Sequence, residues 1–243
     1  MILTNLINGL APIEKKFNDV LINGININSK EVSPGSLFVA IKGHSNDGHS
    51  FVNDAFKNGA SAVISEKNQA SEIDKPQIIV NDTRKAVSII SSRFYDNPSK
   101  ELVIIGVTGT NGKTTTSYII KECLSQAGLK TAQIGTTGVI AEGYKQEKTL
   151  TTPDAITLQR LLRNLVKQSF SHVVMEVSSH ALEQFRVHNI DFNIVVFTNL
   201  SEEHLDYHGT MENYFHAKSK LLDLLDPKTG LAVINYDDPY GER

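Results

Sequence analysis

The sequence predicts an α/β fold of two domains, a small N-terminal α/β domain followed by a doubly wound one. Short apolar runs alternate with helical patterns along the chain, which is typical of α/β proteins. A polar stretch that contains a proline, at 96–100, separates a first set of these runs from a second, more regular set. We therefore expect one domain at 1–98 and another at 99–243.

The first domain shows three short strands and two helices. Apolar runs at 37–41, 62–65 and 77–80 are bounded by turn residues and predict strands. The spacing of apolar residues over 51–56 fits one helix face and ends at an Asn-Gly pair. A second helix should begin after Asp82, a good N-cap, and should bury Val87, Ile90 and Phe94.

The second domain opens with a continuous apolar run at 102–107, as expected of a strand buried on both faces of a parallel sheet. Further strands are predicted at 131–136, 172–177, 194–199 and 231–235, and helices at 113–127, 154–168 and 212–225. Strands that alternate with helices at this spacing predict a doubly wound sheet.

Composition excludes several classes of protein. The 243 residues include 24 Lys and Arg against 27 Asp and Glu, so the net charge of −3 supplies no general basic field for nucleic acid. No window approaches the roughly 18 apolar residues of a membrane-spanning helix. The single cysteine, Cys123, excludes a disulfide scaffold, and the N-terminus lacks a basic signal-peptide region. We expect a cytoplasmic monomer.

Residues 107–116, VTGTNGKTTT, follow the apolar run and open a predicted helix. Glycines in such a loop let backbone N–H groups converge on phosphate oxygens, and the helix N-terminus adds positive potential. Lys113 would reach the β- and γ-phosphates, and Thr114 or Thr115 would hold Mg²⁺. The alternative is an ordinary glycine-rich turn. A phosphate loop does not by itself distinguish kinases, GTPases and ATP-driven ligases. The sequence lacks an Asn-Lys-x-Asp guanine signature, so ATP is favoured over GTP.

Polar residues follow two later strands, where a doubly wound sheet binds its ligands. Glu176 closes an apolar strand and could serve Mg²⁺, or it could simply end the strand. His204 and His208 are four residues apart, so zinc remains an alternative, although Gly209 would break a helix there. Asp154 lies in the first turn of the helix predicted at 154–168 and could be a plain capping residue.

Lys218 occupies an unusual place on the predicted helix 212–225. Its neighbours three and four positions away are Tyr214, Phe215, Leu221 and Leu222. The lysine therefore lies within the apolar stripe, and its amine is expected to be partly desolvated. The ordinary alternative is a side chain that extends to solvent. A buried lysine can lose its proton and react as a free amine.

Three segments resemble the Mur ligases, which join amino acids to the nucleotide-linked precursor of bacterial peptidoglycan. They are TGTNGKTT at 108–115, MEVSSHAL at 175–182 and FTNLSEEHLDYHG at 197–209. The last two resemble the tripeptide-forming branch of that family. NSK at 28–30 and LFVAIKGH at 37–44 are similar to its UDP-binding domain. Lys30 stands where arginine is common, and Glu203 where aspartate is common.

The resemblance implies a role for each matching residue. Those implied for the UDP part are Ile27, Ser29, His44, Ser45 and Asn46; those for the muramoyl-dipeptide are Thr151, Thr152, Ser178, Gln184 and Arg186. Those implied for ATP phosphates are Gly109, Thr110, Asn111, Gly112, Lys113, Thr114 and Thr115. Those implied for Mg²⁺ are Thr114, Glu176, His204 and Lys218, the last as a carbamylated lysine; Lys113, His204 and Lys218 would be catalytic.

The implied activity is ATP-dependent amide formation through an acyl phosphate. UDP-N-acetylmuramoyl-L-alanyl-D-glutamate would receive a diamino acid, meso-diaminopimelate rather than L-lysine. The resemblance also implies that the ATPase domain is incomplete here, that a C-terminal amino-acid-binding domain is absent, and that this chain alone is inactive. The alternatives are another Mur or folylpolyglutamate-type ligase and a non-catalytic nucleotide-binding fragment.

Overall fold

We describe the fold from a computed structural model of the chain. The described residues are 1–10, 12, 14–16, 19–43, 46–68, 75–144 and 150–243. The chain forms two compact units, Met1–Phe94 and Tyr95–Arg243, each built on its own sheet. The predicted boundary, between 98 and 99, lies a few residues after the observed one, between 94 and 95. The roles of the two domains stay predictions.

The described residues of the first unit form five strands and three helices. The strands are β1 (Glu14–Lys16), β2 (Gly24–Asn26), β3 (Ser36–Val39), β4 (Ala62–Ser65) and β5 (Gln77–Ile79). The helices are α1 (Leu3–Ile7), α2 (Val52–Lys57) and α3 (Thr83–Phe94), with 3₁₀ turns at Ser29–Glu31 and Gly48–Phe51. The sheet order is β1-β5-β4-β3-β2; β1 is antiparallel to β5 and the other pairs are parallel.

The middle of this unit confirms the predicted pattern. The predicted strands correspond to β3, β4 and β5, and the two predicted helices to α2 and α3. Asp82 accepts a hydrogen bond from the backbone N–H of Lys85, and Val87 and Ile90 are buried, whereas Phe94 is half-buried. The sequence patterns missed α1, β1 and β2, which lack a long apolar run.

The second unit has a six-stranded sheet. Its strands are β6 (Val103–Thr108), β7 (Thr131–Gly135), β8 (Gly138–Ile140), β9 (His172–Glu176), β10 (Ile194–Phe197) and β11 (Leu231–Ile234), in the order β11-β10-β6-β9-β7-β8. The short β8, which the sequence did not predict, is antiparallel to β7, and the other pairs are parallel.

In the described part of this unit, five helices accompany the sheet. They are α4 (Lys113–Gln126), α5 (Ala155–Lys167), α6 (Ser179–Glu183), α7 (Leu205–His208) and α8 (Met211–Ser219), with 3₁₀ turns at Pro98–Glu101 and Leu222–Leu224. Leucines of α5 pack with Ile104 and Met175 in one core cluster, whereas Ile120 of α4 packs with Ile105 and Val107 in another. Because neighbouring residues of a strand face opposite sides, the two clusters cover both faces of a doubly wound sheet.

The topology marks one edge of the sheet for ligands. From the central β6 the chain builds β7, β8 and β9 on one side, and then crosses to β10 and β11 on the other. In such sheets ligands bind outside the carboxyl ends of the strands, where the order reverses. The loops after β6, β9 and β10 therefore define the region in which to look for a site.

The predicted helix at 212–225 is wrong in its C-terminal part. Helix α8 ends at Ser219, and a separate 3₁₀ turn follows at Leu222–Leu224. The carbonyl of Leu224 accepts a hydrogen bond from the N–H of Phe192, and the N–H of Asp226 donates to the carbonyl of Phe192. This pairing with another segment requires an extended backbone, and a regular helix cannot supply it. Among the described residues, no helix is long and apolar enough to cross a membrane.

Candidate functional site

The loop between β6 and α4 has the geometry of an anion site. Gly112, the residue before α4, adopts φ +82°, a left-handed conformation that suits glycine. Within the described part of the chain, no side chain caps the start of α4. The N-terminal N–H groups of a helix have no partner inside it, so an uncapped start presents donors and a positive dipole end to an anion.

Lys113 folds back over this loop. Its Nζ donates to the carbonyl oxygens of Gly109, at 2.9 Å, and Thr110, at 2.7 Å. Burial lowers the pKa of the Lys113 amine, while the carboxylates of Glu203 and Glu176 act in the opposite direction. The amine is therefore held at the loop, within reach of the positions where phosphate oxygens would approach.

Two residues after β10 brace the loop, and sequence reasoning missed both. The Thr198 hydroxyl donates to the carbonyl of Asn111 at 2.7 Å. The Asn199 side chain accepts from the Asn111 N–H at 2.9 Å and donates to its carbonyl at 3.2 Å, and the Asn199 carbonyl accepts from the Thr110 N–H. Two sequence signals pointed to them, the position of Thr-Asn at the end of a predicted strand and its place in the family-like segment 197–209, but neither gave the two residues a role.

Glu176 lies at the end of β9, beside the loop. The strand register places it next to Val107 of β6, and it is 0% exposed. Its Oε2 accepts hydrogen bonds from the hydroxyls of Thr114, at 3.0 Å, and Thr136, at 3.1 Å. A Cβ at Gly135 would overlap its Oε1, so the carboxylate fits only because residue 135 is glycine.

The pair of Thr114 and Glu176 fits a magnesium ion. A carboxylate and a hydroxyl are hard oxygen donors, which Mg²⁺ prefers, and a buried carboxylate gains from a cation beside it. The structure thus brings together two of the four residues predicted for the metal. Across the described ranges, no group of three or more His, Cys, Asp or Glu side chains is arranged to hold a metal, which gives the zinc alternative no support.

His204 has other neighbours. Its Nε2 lies 3.7 Å from the carboxylate of Glu203, and its ring is 4.9 Å from that of His180 and 6.2 Å from that of Tyr214. The second histidine of the zinc alternative, His208, points to the Ser179 hydroxyl at 2.9 Å. The metal and catalytic roles of His204 stay predictions.

Lys218 is buried, as its neighbours in the sequence predicted. It is 2% exposed, its Nζ donates to the carbonyl of Gly109 at 2.7 Å, and it lies 4.6 Å from the ring centre of Tyr214. Burial, followed by the positive charge of Lys113, lowers the pKa of the Lys218 amine to about 7. The side chain therefore does not extend to solvent, and a sizeable fraction of the amine is neutral near pH 7.

The residues predicted for the muramoyl-dipeptide in this unit lie in one connected cluster. Arg186 donates to the carbonyl of Thr152 at 2.9 Å and to Oε1 of Gln184 at 2.7 Å. The Thr152 hydroxyl donates to the main-chain carbonyl of Glu176 and accepts from the N–H of Ser178. The Thr151 hydroxyl lies 3.2 Å from that of Thr136. Five separate predictions therefore converge beside Glu176.

Asp154 caps α5, the alternative that the sequence left open. Its Oδ1 accepts hydrogen bonds from the N–H groups of Ile156, at 3.0 Å, and Thr157, at 3.1 Å. This geometry is that of an N-cap, which satisfies the first donors of the helix with its own side chain.

The residues predicted for UDP belong to the first unit. Ser29 is buried in a 3₁₀ turn, and its carbonyl accepts from the Asn58 side chain, whereas Ile27 and Asn46 are exposed. His44 and Ser45 lie outside the described residues. The role of this set stays a prediction.

The strand, glycine-containing loop, lysine and uncapped helix of the second unit define a phosphate-loop nucleotide-binding domain. Residues 107–243 match a family model described as the Mur ligase middle domain, and residues 21–95 match one described as the Mur ligase family, catalytic domain. The chain belongs to the Mur ligase family, because the first match alone covers more than half of it.

Two similar curated proteins carry the name of one branch of this family. The UDP-N-acetylmuramoyl-L-alanyl-D-glutamate--2,6-diaminopimelate ligase of Clostridium perfringens is 43% identical over 242 residues, which are 99% of this chain and 49% of the relative. The enzyme of the same name from Aquifex aeolicus is 47% identical over 222 residues, 91% of this chain and 45% of the relative. The chain thus spans about half the length of the curated relatives it matches.

Solved structures agree with this assignment. A structure of a UDP-N-acetylmuramoyl-L-alanyl-D-glutamate--2,6-diaminopimelate ligase matches with a TM-score of 0.78 at 36% identity, over 91% of this chain and 44% of that one. The MurF ligase of Thermotoga maritima in complex with ADP matches with a TM-score of 0.61 at 24% identity, over 92% of this chain and 48% of that one, and shows the shared fold.

Proposed function

We propose that this chain is the part of an ATP-dependent ligase that binds ATP and UDP-N-acetylmuramoyl-L-alanyl-D-glutamate. The ligase adds a diamino acid, meso-diaminopimelate, to that substrate during the synthesis of peptidoglycan precursors. The names of relatives that are 42–47% identical support both the acceptor and the diamino acid. We further propose that the protein works as a cytoplasmic monomer, and its single cysteine is consistent with a reducing compartment.

One observation carries this proposal, the double contact of Glu176. Its side chain accepts from Thr114 of the phosphate loop, and its main-chain carbonyl accepts from the hydroxyl of Thr152 in the dipeptide cluster. The two sets of residues therefore share one strand end. A ligase that transfers a phosphoryl group from ATP to a carboxylate needs the two substrates side by side, since positioning supplies much of the rate enhancement.

The chemistry follows from the poor reactivity of a carboxylate. The γ-carboxylate of the D-glutamate attacks the γ-phosphorus of ATP, ADP leaves, and an acyl phosphate forms. The amine of the diamino acid then attacks the acyl carbon, inorganic phosphate leaves, and the amine loses a proton. Lys113 would neutralise charge on the transferred group, and Arg186 would orient the dipeptide.

Thr114 and Glu176 would hold magnesium, which neutralises phosphate charge when bound. We also propose that Lys218 is carbamylated. A neutral amine is required to add CO₂, and the low pKa of about 7, caused mainly by burial, provides it. The amine nitrogen adds to the carbon of CO₂ and releases one proton to solvent, and the product is a carbamate anion next to Gly109, where it would assist the same cation.

Calorimetric titration of this chain tests the substrate assignment. The double variant Thr152→Ala, Arg186→Ala should lose affinity for UDP-N-acetylmuramoyl-L-alanyl-D-glutamate by more than about tenfold, because a charged hydrogen-bonding group is removed. Its affinity for Mg·ADP should not change. Lys113→Ala should show the reverse pattern and remain folded.

Two matched variants complete this experiment. Arg163→Ala removes an arginine that contacts Tyr95 and Asp96 instead, and Lys121→Ala removes a lysine of α4 that pairs with Glu122. Both should bind like the unaltered chain. Binding of Mg·ADP without any binding of the UDP-linked dipeptide would reduce the chain to a nucleotide-binding module and contradict the proposal.

Lys218 has its own test. With ¹³C-bicarbonate and Mg·ADP present, the ¹³C NMR spectrum of the chain should contain one carbamate signal that Lys218→Ala removes and Lys121→Ala retains. In the full-length enzyme, Lys218→Ala should lose most of its turnover, keep its affinity for the UDP-linked substrate, and regain part of the turnover with small added carboxylates. Full activity of Lys218→Ala in CO₂-free buffer would disprove the carbamate.

A further inference from the structure

Tyr207 is an exposed aromatic residue that its neighbours hold in place. It is 45% exposed, yet its ring centre lies 4.2 Å from that of His180 and 4.9 Å from that of His208. His208 is itself buried, and its Nε2 lies 2.9 Å from the hydroxyl of Ser179. Ring contacts at these distances are attractive, so the tyrosine stands on a fixed aromatic base although its outer surface meets solvent.

The Tyr207 hydroxyl extends the dipeptide cluster by one more polar group. Nε2 of Gln184 lies 3.5 Å from the hydroxyl oxygen, a long and therefore weak hydrogen bond in which the amide is the donor. Oε1 of Gln184 accepts from Arg186, which also donates to the carbonyl of Thr152. A continuous line of polar groups thus runs from Thr152 to Tyr207, and three of its four members are those that the family resemblance assigns to the dipeptide.

The direction of this contact leaves a donor available. Because the hydroxyl oxygen accepts from Gln184, its hydrogen is free to point elsewhere, and among the described residues no acceptor takes it. A phenol O–H donates well to a carboxylate, and the nearby guanidinium of Arg186 makes this region favourable for an anion. The second residue of the dipeptide, D-glutamate, carries two carboxylates.

We propose that Tyr207, held by the ring of His180, is a further substrate-binding residue whose hydroxyl donates a hydrogen bond to a carboxylate of the D-glutamate. This assignment rests on the proposed function. The ring contacts hold the side chain in place, and the assignment gives a partner to its hydroxyl proton, for which the described residues offer no acceptor. His180 is then a positioning residue, because it acts through the ring of Tyr207.

The test is calorimetric titration of the chain with two ligands that differ by one amino acid. Tyr207→Phe keeps the ring contacts and removes only the hydroxyl. It should weaken binding of UDP-N-acetylmuramoyl-L-alanyl-D-glutamate by about tenfold, as expected for a hydrogen bond to a charged group. It should bind UDP-N-acetylmuramoyl-L-alanine, which lacks the glutamate, as tightly as the unaltered chain does.

Three further variants separate a binding role from a packing role. Tyr118→Phe removes a hydroxyl from another exposed tyrosine of the same unit, 48% exposed on α4, and should change neither affinity. His180→Ala should weaken binding of the dipeptide ligand, and His180→Phe, which restores an aromatic surface under Tyr207, should recover most of it. Equal loss in His180→Ala and His180→Phe would show that the ring contact does not position Tyr207.

The outcomes distinguish this inference from the proposed function. If Arg186→Ala loses the dipeptide ligand while Tyr207→Phe binds it normally, the inference is wrong and the proposed function stands. If Tyr207→Phe weakens both ligands equally, the hydroxyl does not contact the glutamate and the inference is wrong in its chosen group. If the unaltered chain binds neither ligand, the proposed function fails first and the inference fails with it.

Discussion

Helices α4 and α5 lie in the same unit and cover opposite faces of one sheet, yet they begin in different ways. Helix α5 begins at Asp154, whose carboxylate accepts from the N–H groups of Ile156 and Thr157. Helix α4 begins after Gly112, in a left-handed conformation and with no side-chain cap within the described residues. One start is satisfied by its own chain, and the other keeps its donors for a ligand.

This difference indicates how, in a fold with several helix starts near one edge, one of them becomes the candidate phosphate site. Every helix N-terminus carries positive potential, so the fold alone does not choose between them. The residues at the two helix starts make the difference. The structural helix α5 has an aspartate there, and α4, at the candidate site, has a glycine followed by a lysine. Exchanging these features is the most direct way to test the comparison.

The largest effect is expected from placing an aspartate at the start of α4, as at the start of α5. In Gly112→Asp, a carboxylate lies beside the first N–H groups of α4 and repels the negative charge of the phosphate, and a side chain is introduced at a φ of +82°. The affinity for Mg·ADP in calorimetric titration should fall by more than about 100-fold, or nearly 3 kcal/mol.

Gly128→Asp is the matched control for this change. Gly128 follows the other end of α4 and has φ +84°, close to the +82° of Gly112, with nothing within 4 Å of an added Cβ. It introduces the same charge and a similar backbone strain away from the loop, so ADP binding should persist. Comparable losses in both variants would show that strain, and not the competing carboxylate, removes the site.

An intermediate effect is expected from Lys218, whose amine donates to Gly109 in the loop before α4. The pKa of Lys218 is lowered from 10.5 to about 7 because the amine is buried. Between these two values the unfolded chain binds a proton that the folded chain does not. Burial of the charged amine therefore lowers the free energy of unfolding, and this cost is full below pH 7. As the pH rises above 7, the free energy of unfolding increases at a rate that approaches about 1.4 kcal/mol per pH unit.

Urea unfolding in CO₂-free buffer at several pH values measures this effect. The free energy of unfolding of the unaltered chain should rise relative to that of Lys218→Met, by about 2 kcal/mol between pH 7 and pH 9. The variant retains the other titrating groups and serves as the reference. Parallel profiles for the two proteins would mean that the lysine is not held neutral in the folded chain.

The smallest effect is expected from opening the start of α5. Asp154→Ala removes the cap and should lower the free energy of unfolding by about 1 kcal/mol, without a change in ADP affinity. Asp154→Ser, which keeps a capping oxygen, should recover most of the stability. If Asp154→Ala bound more ADP per chain than the unaltered protein does, an uncapped helix start alone would be enough to bind phosphate. The glycine and lysine at the start of α4 would then not explain the difference between the two helices.

The sequence revealed the features of this site that depend on neighbours along the chain. The phosphate loop was predicted because its strand, glycines, lysine and helix follow one another within 102–127. The burial of Lys218 was predicted because its neighbours three and four positions away are apolar. Its acceptor, the carbonyl of Gly109, was not, since the two residues are 109 positions apart.

What the sequence missed depends on contacts between distant segments. Asn199 braces Asn111 across 88 positions, and no periodicity records such a pair. Helix α8 stops at Ser219 because Phe192 pairs with the segment beyond it, whereas the apolar pattern continues to Leu225. The resemblance to a family supplied the residues predicted for the dipeptide, but only the fold shows that Glu176 joins them to the loop.

Gly135 is a position at which the fold restricts the choice of amino acid. The carboxylate of Glu176 occupies the space that a side chain at 135 would need, so even alanine would displace it. At Gly24, by contrast, an added Cβ would meet Ser36 at an ordinary 3.5 Å. In a randomised library selected for function, position 135 should retain a single amino acid, although its own side chain takes part in no chemistry. Its information content comes from the neighbour that it accommodates.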